Sequence, residues 1–222
     1  MIPSAAAHVS SDPDSSLPAH LRVASWNLLR RVGAGPEDVA SLVRNVRPDL
    51  LLLQEVTGEF EKLPHLVGGH FVRVPMHGRI YGLAAWSPHP FPRPEILRLP
   101  VSALPGRVPP RIALIVRLGG IAFANVHLSH GQFLNRWQLL HITRVLKEPC
   151  AIIGDFNAVG PTGLPHLRDI GPRAPTHFPG NILPLRLDRC LARGLACRRT
   201  EVLDRGPSDH HPIILELTAE DA

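Results

Sequence analysis

Acidic, amide and histidine side chains stand where the apolar segments of this sequence end. The residues are Asn27, Glu55, His127, Asp155, Asn157 and the pair Asp209-His210. One polar residue beside a strand is ordinary. Their recurrence along a single chain indicates side chains that meet at one rim of a layered α/β fold, on loops held by a rigid sheet.

These side chains restrict the chemistry of the site. The sequence lacks the Cys-His spacing of a zinc site, a glycine-rich phosphate loop and a G-x-S-x-G turn. Carboxylates, amides and histidines remain, and such a set suits Mg²⁺ or Mn²⁺. A hard cation beside an acid and a histidine can activate water against a phosphate ester, with the acid aligning or deprotonating the water and the histidine stabilising charge.

Alternating strands and helices must position these residues. Hydrophobic patterning predicts strands at 21–28, 49–56, 81–87, 111–118, 121–126, 150–155 and 213–217, and helices from Pro36 to before Pro48 and at 134–146. Gly119-Gly120 predicts a hairpin turn. Eight prolines within 88–110 predict a long surface loop. The pattern predicts an α/β fold that mixes hairpins with crossovers.

Length and composition are those of one domain. The chain has 222 residues, 44% of them hydrophobic, and three cysteines. We expect a disordered leader at 1–20, a domain at 21–218 and a tail at 219–222. The leader lacks the basic and apolar segments of a secretory signal, and no apolar run is long enough to cross a bilayer. We therefore expect a cytoplasmic protein that has no membrane partner and no obligate protein partner.

The charge of the chain has two interpretations. The formal net charge is +5, and the basic residues are nearly all arginine, with lysine only at Lys62 and Lys147. A basic body suits nucleic acid, either DNA or RNA. An arginine-for-lysine bias without functional meaning would give the same net charge, because no block of like charge stands out.

Seven segments in order carry a resemblance to a known family. They are SWN (25–27), LLLLQEV (50–56), YGLAAWS (81–87), NVHLS (125–129), IIGDFN (152–157), RLDR (186–189) and SDHHP (208–212). The chain resembles the endonuclease/exonuclease/phosphatase superfamily, with its DNase I-like fold, from 21 to 217. The resemblance implies a four-layer α/β sandwich of two packed mixed β-sheets flanked by helices, and a Mg²⁺- or Mn²⁺-dependent phosphoesterase.

The resemblance also implies a metal site. Glu55 resembles the principal metal-ligand glutamate, and Asn27 the amide beside it that supports the site. Asp209 resembles a second acidic group of the same site.

The remaining residues resemble catalytic groups of the family. Asp155 resembles the aspartate that aligns or deprotonates the attacking water, and Asn157 the amide that orients phosphate and nucleophile. His210 resembles the histidine that contacts the scissile phosphate, and Asp188 an acid that positions it. His127 resembles a histidine of the DNase-like and sphingomyelinase-like branches.

Simpler interpretations exist for some residues. Asp188 could instead form an ion pair with Arg186 or Arg189. Trp26 and Trp86 lie in strand patterns and are expected in the core rather than as platforms for base stacking.

Three functions remain open at this stage. The first is a metal-dependent phosphodiesterase that cleaves nucleic acid. The second is a phosphoesterase for a small or lipid-derived phosphate. The third is a basic nucleic-acid-binding module without turnover, although binding alone would not require Glu55, Asp155, Asp209 and His210 together.

Overall fold

The computed structural model describes residues 20–102 and 109–220. Nearly all of the predicted leader, the last two residues of the predicted tail and residues 103–108 of the predicted loop lie outside these ranges. Among the described residues, no helix has both the length and the hydropathy needed to cross a membrane.

Twelve strands and a few short helices make up the described chain. The strands are β1 (Leu21–Asn27), β2 (Leu50–Val56), β3 (His70–Pro75), β4 (Gly82–Ser87), β5 (Glu95–Arg98), β6 (Ile112–Leu118), β7 (Ile121–His127), β8 (Cys150–Asp155), β9 (Arg168–Asp169), β10 (Asp188–Arg193), β11 (Leu195–Val202) and β12 (Ile213–Ala219). The helices are α1 (Pro36–Val46), α2 (Leu63–Val67) and α3 (Gln132–Thr143), with 3-10 turns at Gly58–Lys62 and Pro179–Asn181.

The strands form two six-stranded mixed sheets. The first has the order β11-β12-β1-β2-β4-β3 and the second the order β5-β6-β7-β8-β10-β9. β1 and β2 are parallel in the first sheet, as are β7 and β8 in the second, and the other pairs are antiparallel. The predicted α/β sandwich of two packed mixed sheets is confirmed.

Three apolar clusters hold the layers together. The largest lies between the sheets and includes Leu52, Leu114 and Ile153. Val39 of α1 packs on the outer face of the first sheet, and Leu139 of α3 packs on the outer face of the second. The layers therefore run helix, sheet, sheet, helix. All seven residues of β2 are buried, as its continuous apolar run predicts for a central strand covered on both faces.

The local signals explain most element boundaries. Pro36 stands in the first turn of α1, and the Asp38 carboxylate accepts a hydrogen bond from the Gly35 N–H at its start (2.8 Å). Gly119 and Gly120 have φ of 58° and 71°, the left-handed backbone that a two-residue hairpin needs. Trp26 and Trp86 are buried, each 3% exposed, and belong to the core.

The prediction of a surface loop throughout 88–110 is wrong in part. Residues 95–98 contain no proline and form β5, which pairs antiparallel with β6. β5 is an edge strand, and proline is tolerated beside such strands. The sequence prediction also missed β3, β9, β10 and β11. Of these, β9 has only two residues and β11 exposes half of its eight residues, so they lack the apolar alternation that marks a half-buried strand.

Candidate active site

The carboxyl ends of the two parallel strand pairs meet in one cleft. Its volume is about 380 Å³. Seven of the eight predicted site residues line it: Asn27, Glu55, His127, Asp155, Asn157, Asp209 and His210. The eighth, Asp188, is the first residue of β10 and is fully buried. The two sheets thus bring together side chains that lie as far apart in sequence as positions 27 and 210.

Asp155 is the central carboxylate of the cleft. It is 1% exposed. Asn27 Nδ2 donates a hydrogen bond to its Oδ2 (3.0 Å), and the backbone N–H of Asn157 donates to its Oδ1 (2.9 Å). Its Oδ2 lies 3.5 Å from His127 Nε2 and 3.8 Å from His210 Nε2. Burial raises the pKa of Asp155 to about 6, although the nearby His210 opposes the rise.

Asp188 fixes the orientation of His210. Its Oδ2 lies 2.8 Å from His210 Nδ1, so His210 Nε2 is the nitrogen that faces Asp155 and the cleft. Burial alone would lower the pKa of His210, but the carboxylates of Asp188 and Asp155 outweigh it and raise the pKa to about 10. The imidazole is therefore a cation at neutral pH.

Arg186, which the sequence allowed as a partner of Asp188, pairs with a different carboxylate. Arg186 forms two hydrogen bonds of 2.7 Å with the carboxylate of Asp169. Thr176 Oγ1 accepts the backbone N–H of Asp188 (2.9 Å). Asp188 therefore pairs with His210 and not with a neighbouring arginine.

A β-bulge aims Glu55 at the cleft. The pairing of β2 with β4 shifts register between Gln54 and Val56, so Glu55 is the extra residue of the bulge. Its φ is 60°, a left-handed conformation that is uncommon for a residue with a side chain. Glu55 Oε2 accepts hydrogen bonds from the backbone N–H and from Nη1 of Arg30 (3.2 Å each). Strain of this kind concentrates at functional sites.

His127 and Asn157 complete the floor of the cleft. His127 is 4% exposed. Burial, reinforced by the charge of Arg111, holds the pKa of His127 well below its usual range, so its imidazole is neutral. Asn157 has a left-handed φ of 49° and donates from Nδ2 to the Leu128 carbonyl (3.0 Å). Asparagine tolerates this conformation better than most residues.

Asp209 faces a histidine that the sequence analysis did not single out. His177 lines the cleft, and its Nδ1 lies 3.8 Å from Asp209 Oδ2. The rings of His177 and His210 are 4.2 Å apart. Burial and the positive charge of His210 lower the pKa of His177. Nothing in the sequence marks His177, because the segment around it reaches the cleft only through long-range pairing.

The sequence patterns also did not indicate two arginines that line the cleft. Arg30 pairs with Glu55 and lies 4.5 Å over the ring of Tyr81. Arg111 is 7% exposed, and its Nε has no hydrogen-bond partner among the described residues. Burial lowers its pKa. A buried guanidinium with an unpartnered N–H suits an anionic ligand. Arg111 stands at the start of a predicted strand, where a basic residue gives no functional signal.

The donor set of the cleft fits a hard divalent cation. Glu55, Asp155 and Asp209 place three carboxylates around one cavity. Asp209 Oδ1 is buried and accepts no hydrogen bond from the described residues. A buried oxygen without a partner is costly, and a bound cation would satisfy it. Carboxylate oxygens are the preferred ligands of Mg²⁺ and Mn²⁺.

Known proteins resemble this chain in sequence pattern and in fold. A sequence model described as "Endonuclease/Exonuclease/phosphatase family" matches residues 24–210. No curated protein matches the chain.

Solved structures share the fold. An endonuclease/exonuclease/phosphatase from Beutenbergia cavernae has a TM-score of 0.70 and 22% identity, covering 91% of this chain and 72% of its own. The mannosyl-6-phosphatase Bt3783 from Bacteroides thetaiotaomicron has a TM-score of 0.72 and 22% identity, covering 89% of this chain and 99% of its own. A humanized TDP2 from D. rerio has a TM-score of 0.72 and 18% identity, covering 91% of this chain and 100% of its own. At these sequence identities, the similarity to the solved structures shows a shared fold alone.

Proposed function

The chain belongs to the Endonuclease/Exonuclease/phosphatase family, and from this premise we propose that it is a Mg²⁺- or Mn²⁺-dependent phosphodiester hydrolase that cleaves nucleic acid. One observation carries the proposal. The buried carboxylate of Asp155 lies within 3.8 Å of the inward nitrogens of two histidines, in a cleft that also holds Glu55 and Asp209. This arrangement joins a base, a cation and metal-binding oxygens around one space.

The metal would be held on the carboxylates of the cleft. Glu55 and Asp209 would supply ligand oxygens, and the amide of Asn27 would support the site. When bound, the ion would polarise a phosphoryl oxygen. Asn27 holds Asp155 by its hydrogen bond, which fixes the position of that carboxylate relative to the metal site.

Asp155 is the group that aligns and deprotonates water. A pKa of about 6 leaves its carboxylate ionised at neutral pH, and it is a stronger base than an ordinary aspartate. The backbone N–H of Asn157 and the side-chain amide of Asn27 each donate a hydrogen bond to one oxygen of this carboxylate, and together they fix its orientation. A water that hydrogen-bonds to Asp155 would therefore meet a phosphate in a fixed orientation.

His210 is the group that stabilises the phosphate. Its imidazolium presents Nε2 to the cleft and keeps its charge through Asp188. A fixed cationic donor stabilises the negative charge that develops on phosphoryl oxygens. His127, which is neutral, and Asn157 lie beside the same space and would orient the phosphate.

The charge of the cleft and its surroundings supports a nucleic-acid substrate. Arg111 is a buried cation whose Nε lacks a partner in the described part of the chain. Arg31 and Arg79 are exposed, and they lie within two residues along the chain of the cleft residues Arg30 and Tyr81. With a net charge of +5 for the chain, these groups favour a polyanion that extends beyond the reacting phosphate.

A small phosphate ester is the second candidate substrate. The cleft volume of about 380 Å³ falls within the range of small-molecule pockets, roughly 300–1,000 Å³. Val159 at the cleft is 68% exposed, and such an apolar side chain offers little to a phosphodiester backbone. The mannosyl-6-phosphatase with the same fold is a precedent for a sugar phosphate on this scaffold.

A substrate panel tests the proposal. Plasmid DNA, RNA, a bis-aryl phosphodiester and a sugar monophosphate are each incubated with the protein in Mg²⁺, in Mn²⁺ and in EDTA. The Asp155→Asn variant, which keeps the size of the side chain, serves as the control for contaminating activity. We expect metal-dependent cleavage of DNA or RNA by the wild-type chain and none by the variant.

The other results have defined meanings. Turnover of the small esters alone would favour the second candidate. The absence of turnover with either metal would overturn the hydrolase and leave a binding module. For a nucleic-acid substrate, affinity should also fall steeply between 50 and 200 mM salt, by roughly 10³-fold or more if about six phosphates are contacted. A flat response would point to a small substrate.

A further inference from the structure

Backbone hydrogen bonds join the His177 segment to the segment that carries Asp209 and His210. The backbones of His177 and Leu185 exchange two hydrogen bonds (2.9 and 2.8 Å). On the flanking residues, Phe178 N–H donates to the Asp209 carbonyl (3.1 Å) and His211 N–H donates to the Thr176 carbonyl (2.7 Å). The backbone position of His177 beside Asp209 and His210 is therefore set by the fold.

Three side chains form a compact set of metal-binding atoms. One ligand atom each from His177, Asp209 and His210 lies within 4.8 Å of the other two. Two of the nearby atoms are buried without a hydrogen-bond partner among residues 20–102 and 109–220, namely His177 Nδ1 and Asp209 Oδ1. Burying a polar atom without a partner costs free energy, and a cation bound between these two atoms would remove that cost for both.

The composition of this set differs from that of the proposed Mg²⁺ site. Two imidazoles and one carboxylate match the three-ligand sites of Zn²⁺, in which water or substrate occupies the fourth position. Imidazole suits Zn²⁺, Cu²⁺, Fe²⁺ and Ni²⁺, whereas Mg²⁺ prefers oxygen ligands throughout. The hydrogen bond of Asp188 to His210 Nδ1 leaves Nε2 as the ligand and reproduces the carboxylate–histidine–metal arrangement found in zinc proteins.

We propose that His177, Asp209 and His210 form a second metal site, selective for Zn²⁺ over Mg²⁺, whose occupation inhibits the enzyme. The inhibition rests on the proposed function, because Zn²⁺ would take the His210 nitrogen that contacts the phosphate. The metal site itself does not rest on it. For Zn²⁺ to bind, His210 would have to release its Nε2 proton to solvent, and Asp209 would be a ligand that the proposed Mg²⁺ site also uses.

Direct binding of Zn²⁺ tests the site. Metal-free full-length protein is titrated with Zn²⁺ in competition with a chromogenic chelator, in the presence of excess Mg²⁺. We expect one Zn²⁺ per chain, with an affinity at least tenfold weaker in His177→Gln and in Asp209→Asn. His130→Gln is the matched control, because His130 lines the same cleft outside the cluster, and its affinity for Zn²⁺ should equal that of the wild-type protein. Circular dichroism of each variant verifies its fold.

Activity supplies the second measurement. Zn²⁺ should inhibit the Mg²⁺-supported hydrolysis of the wild-type chain and of His130→Gln, while His177→Gln should stay active at Zn²⁺ concentrations that silence the wild-type chain. Zn²⁺ binding that is absent, or unchanged in both cluster variants, would overturn the proposal even if esters are hydrolysed. Zn²⁺ binding that depends on His177 in a protein without hydrolysis would keep the site and overturn the proposed function and, with it, the inhibition.

Discussion

His210 depends on two carboxylates for its charge. Asp188 contacts Nδ1 at 2.8 Å, and Asp155 lies 3.8 Å from Nε2. The two acids have different environments. Asp188 is hydrogen-bonded directly to the imidazole of His210. Asp155 instead accepts amide hydrogen bonds and has a raised pKa. The two carboxylates therefore have different roles: Asp188 is a positioning residue, and Asp155 is the base of the proposed reaction.

The raised pKa of His210 predicts a pH-dependent stability. The folded-state pKa of about 10 lies above the ordinary histidine value of 6.5. The stabilisation from the charged imidazole is thus complete below about pH 6.5 and is lost as pH rises towards 10. In EDTA, the free energy of unfolding of the wild-type chain should fall relative to His210→Gln by about 1.4 kcal/mol per pH unit in that window. Urea unfolding at a series of pH values measures it, and parallel curves for the two proteins would contradict the assignment.

Sequence patterns identified the individual site residues but not their partners. The strand-end positions of Asn27, Glu55 and Asp155 were visible because apolar runs end beside them. The partner of Asp188 was not, because the choice between a neighbouring arginine and His210 depends on where β10 lies beside β8. Arg111 and His177 carry no local pattern. The Arg111 carbonyl accepts the Leu99 N–H, and His177 pairs with Leu185 and His210, so their place in the cleft depends on pairing between separate segments.

Two strands end in irregular backbone that aims the carboxylates. β2 carries the bulge at Glu55, and β8 carries Gly154 directly before Asp155. Gly154 has a φ of 139°, and a Cβ at this position would lie 2.1 Å from the Val126 carbonyl oxygen. The glycine therefore allows β7 and β8 to approach where His127 and Asp155 meet.

Gly154→Ala should destabilise the fold and displace Asp155. The methyl group must push apart the backbones of β7 and β8, and the conformation is one that alanine rarely adopts. We expect a loss of about 2 kcal/mol or more in the free energy of unfolding. Gly163→Ala is the matched control, since a Cβ there meets nothing within 4 Å, and it should cost less than about 0.5 kcal/mol. Equal stability of the two variants in urea unfolding would contradict the argument.

Elements with strong apolar patterns were predictable, and weakly patterned ones were not. The central strands β1, β2, β7 and β8 follow from their sequences because burial on both faces demands apolar residues. β11 begins in the core but exposes most of its later residues, including Arg198 and Arg199, so neither alternation nor an apolar run reveals it. A bulge such as the one at Glu55 leaves no signature in sequence, because it depends on pairing with β4.

A polar network joins the two sheets across the apolar core. Asn125 of β7 donates from Nδ2 to the carbonyls of Leu53 (3.0 Å) and Ala84 (2.9 Å), and Gln54 Nε2 donates to Asn125 Oδ1 (2.7 Å). Asn125 and Gln54 are both fully buried. They lie close in sequence to His127 and Glu55, so the network fixes one sheet relative to the other beside the cleft.

Asn125→Ala should be strongly destabilising. It removes the partner of Gln54 and two donors to buried carbonyls, which we expect to lower the free energy of unfolding by about 2–4 kcal/mol. A double-mutant cycle with Gln54→Ala should give a coupling of about 1 kcal/mol or more, since the two side chains share a hydrogen bond. Additive effects of the two substitutions in urea unfolding would contradict a shared network.

The site forms only when the two sheets of the chain pack together. Asn27 and Glu55 come from the first sheet, while His127, Asp155 and Asp188 come from the second. The fold class could be predicted from the order of the motifs along the chain. The convergence of the strand ends follows from that fold. The cluster of His177 with Asp209 could not be foreseen, because it depends on how the chain between β9 and β10 folds back onto the segment before β12.

The rate of Mg²⁺-supported phosphate-ester hydrolysis in Asp155→Ala and His210→Ala tests the central claim most directly. Each variant should lose at least about 10²-fold in kcat, since each removes a group that acts on the water or on the phosphate. Circular dichroism spectra that match the wild-type spectrum would verify the fold. Near-normal rates in either folded variant would contradict the claim that these two side chains carry out the reaction in this cleft.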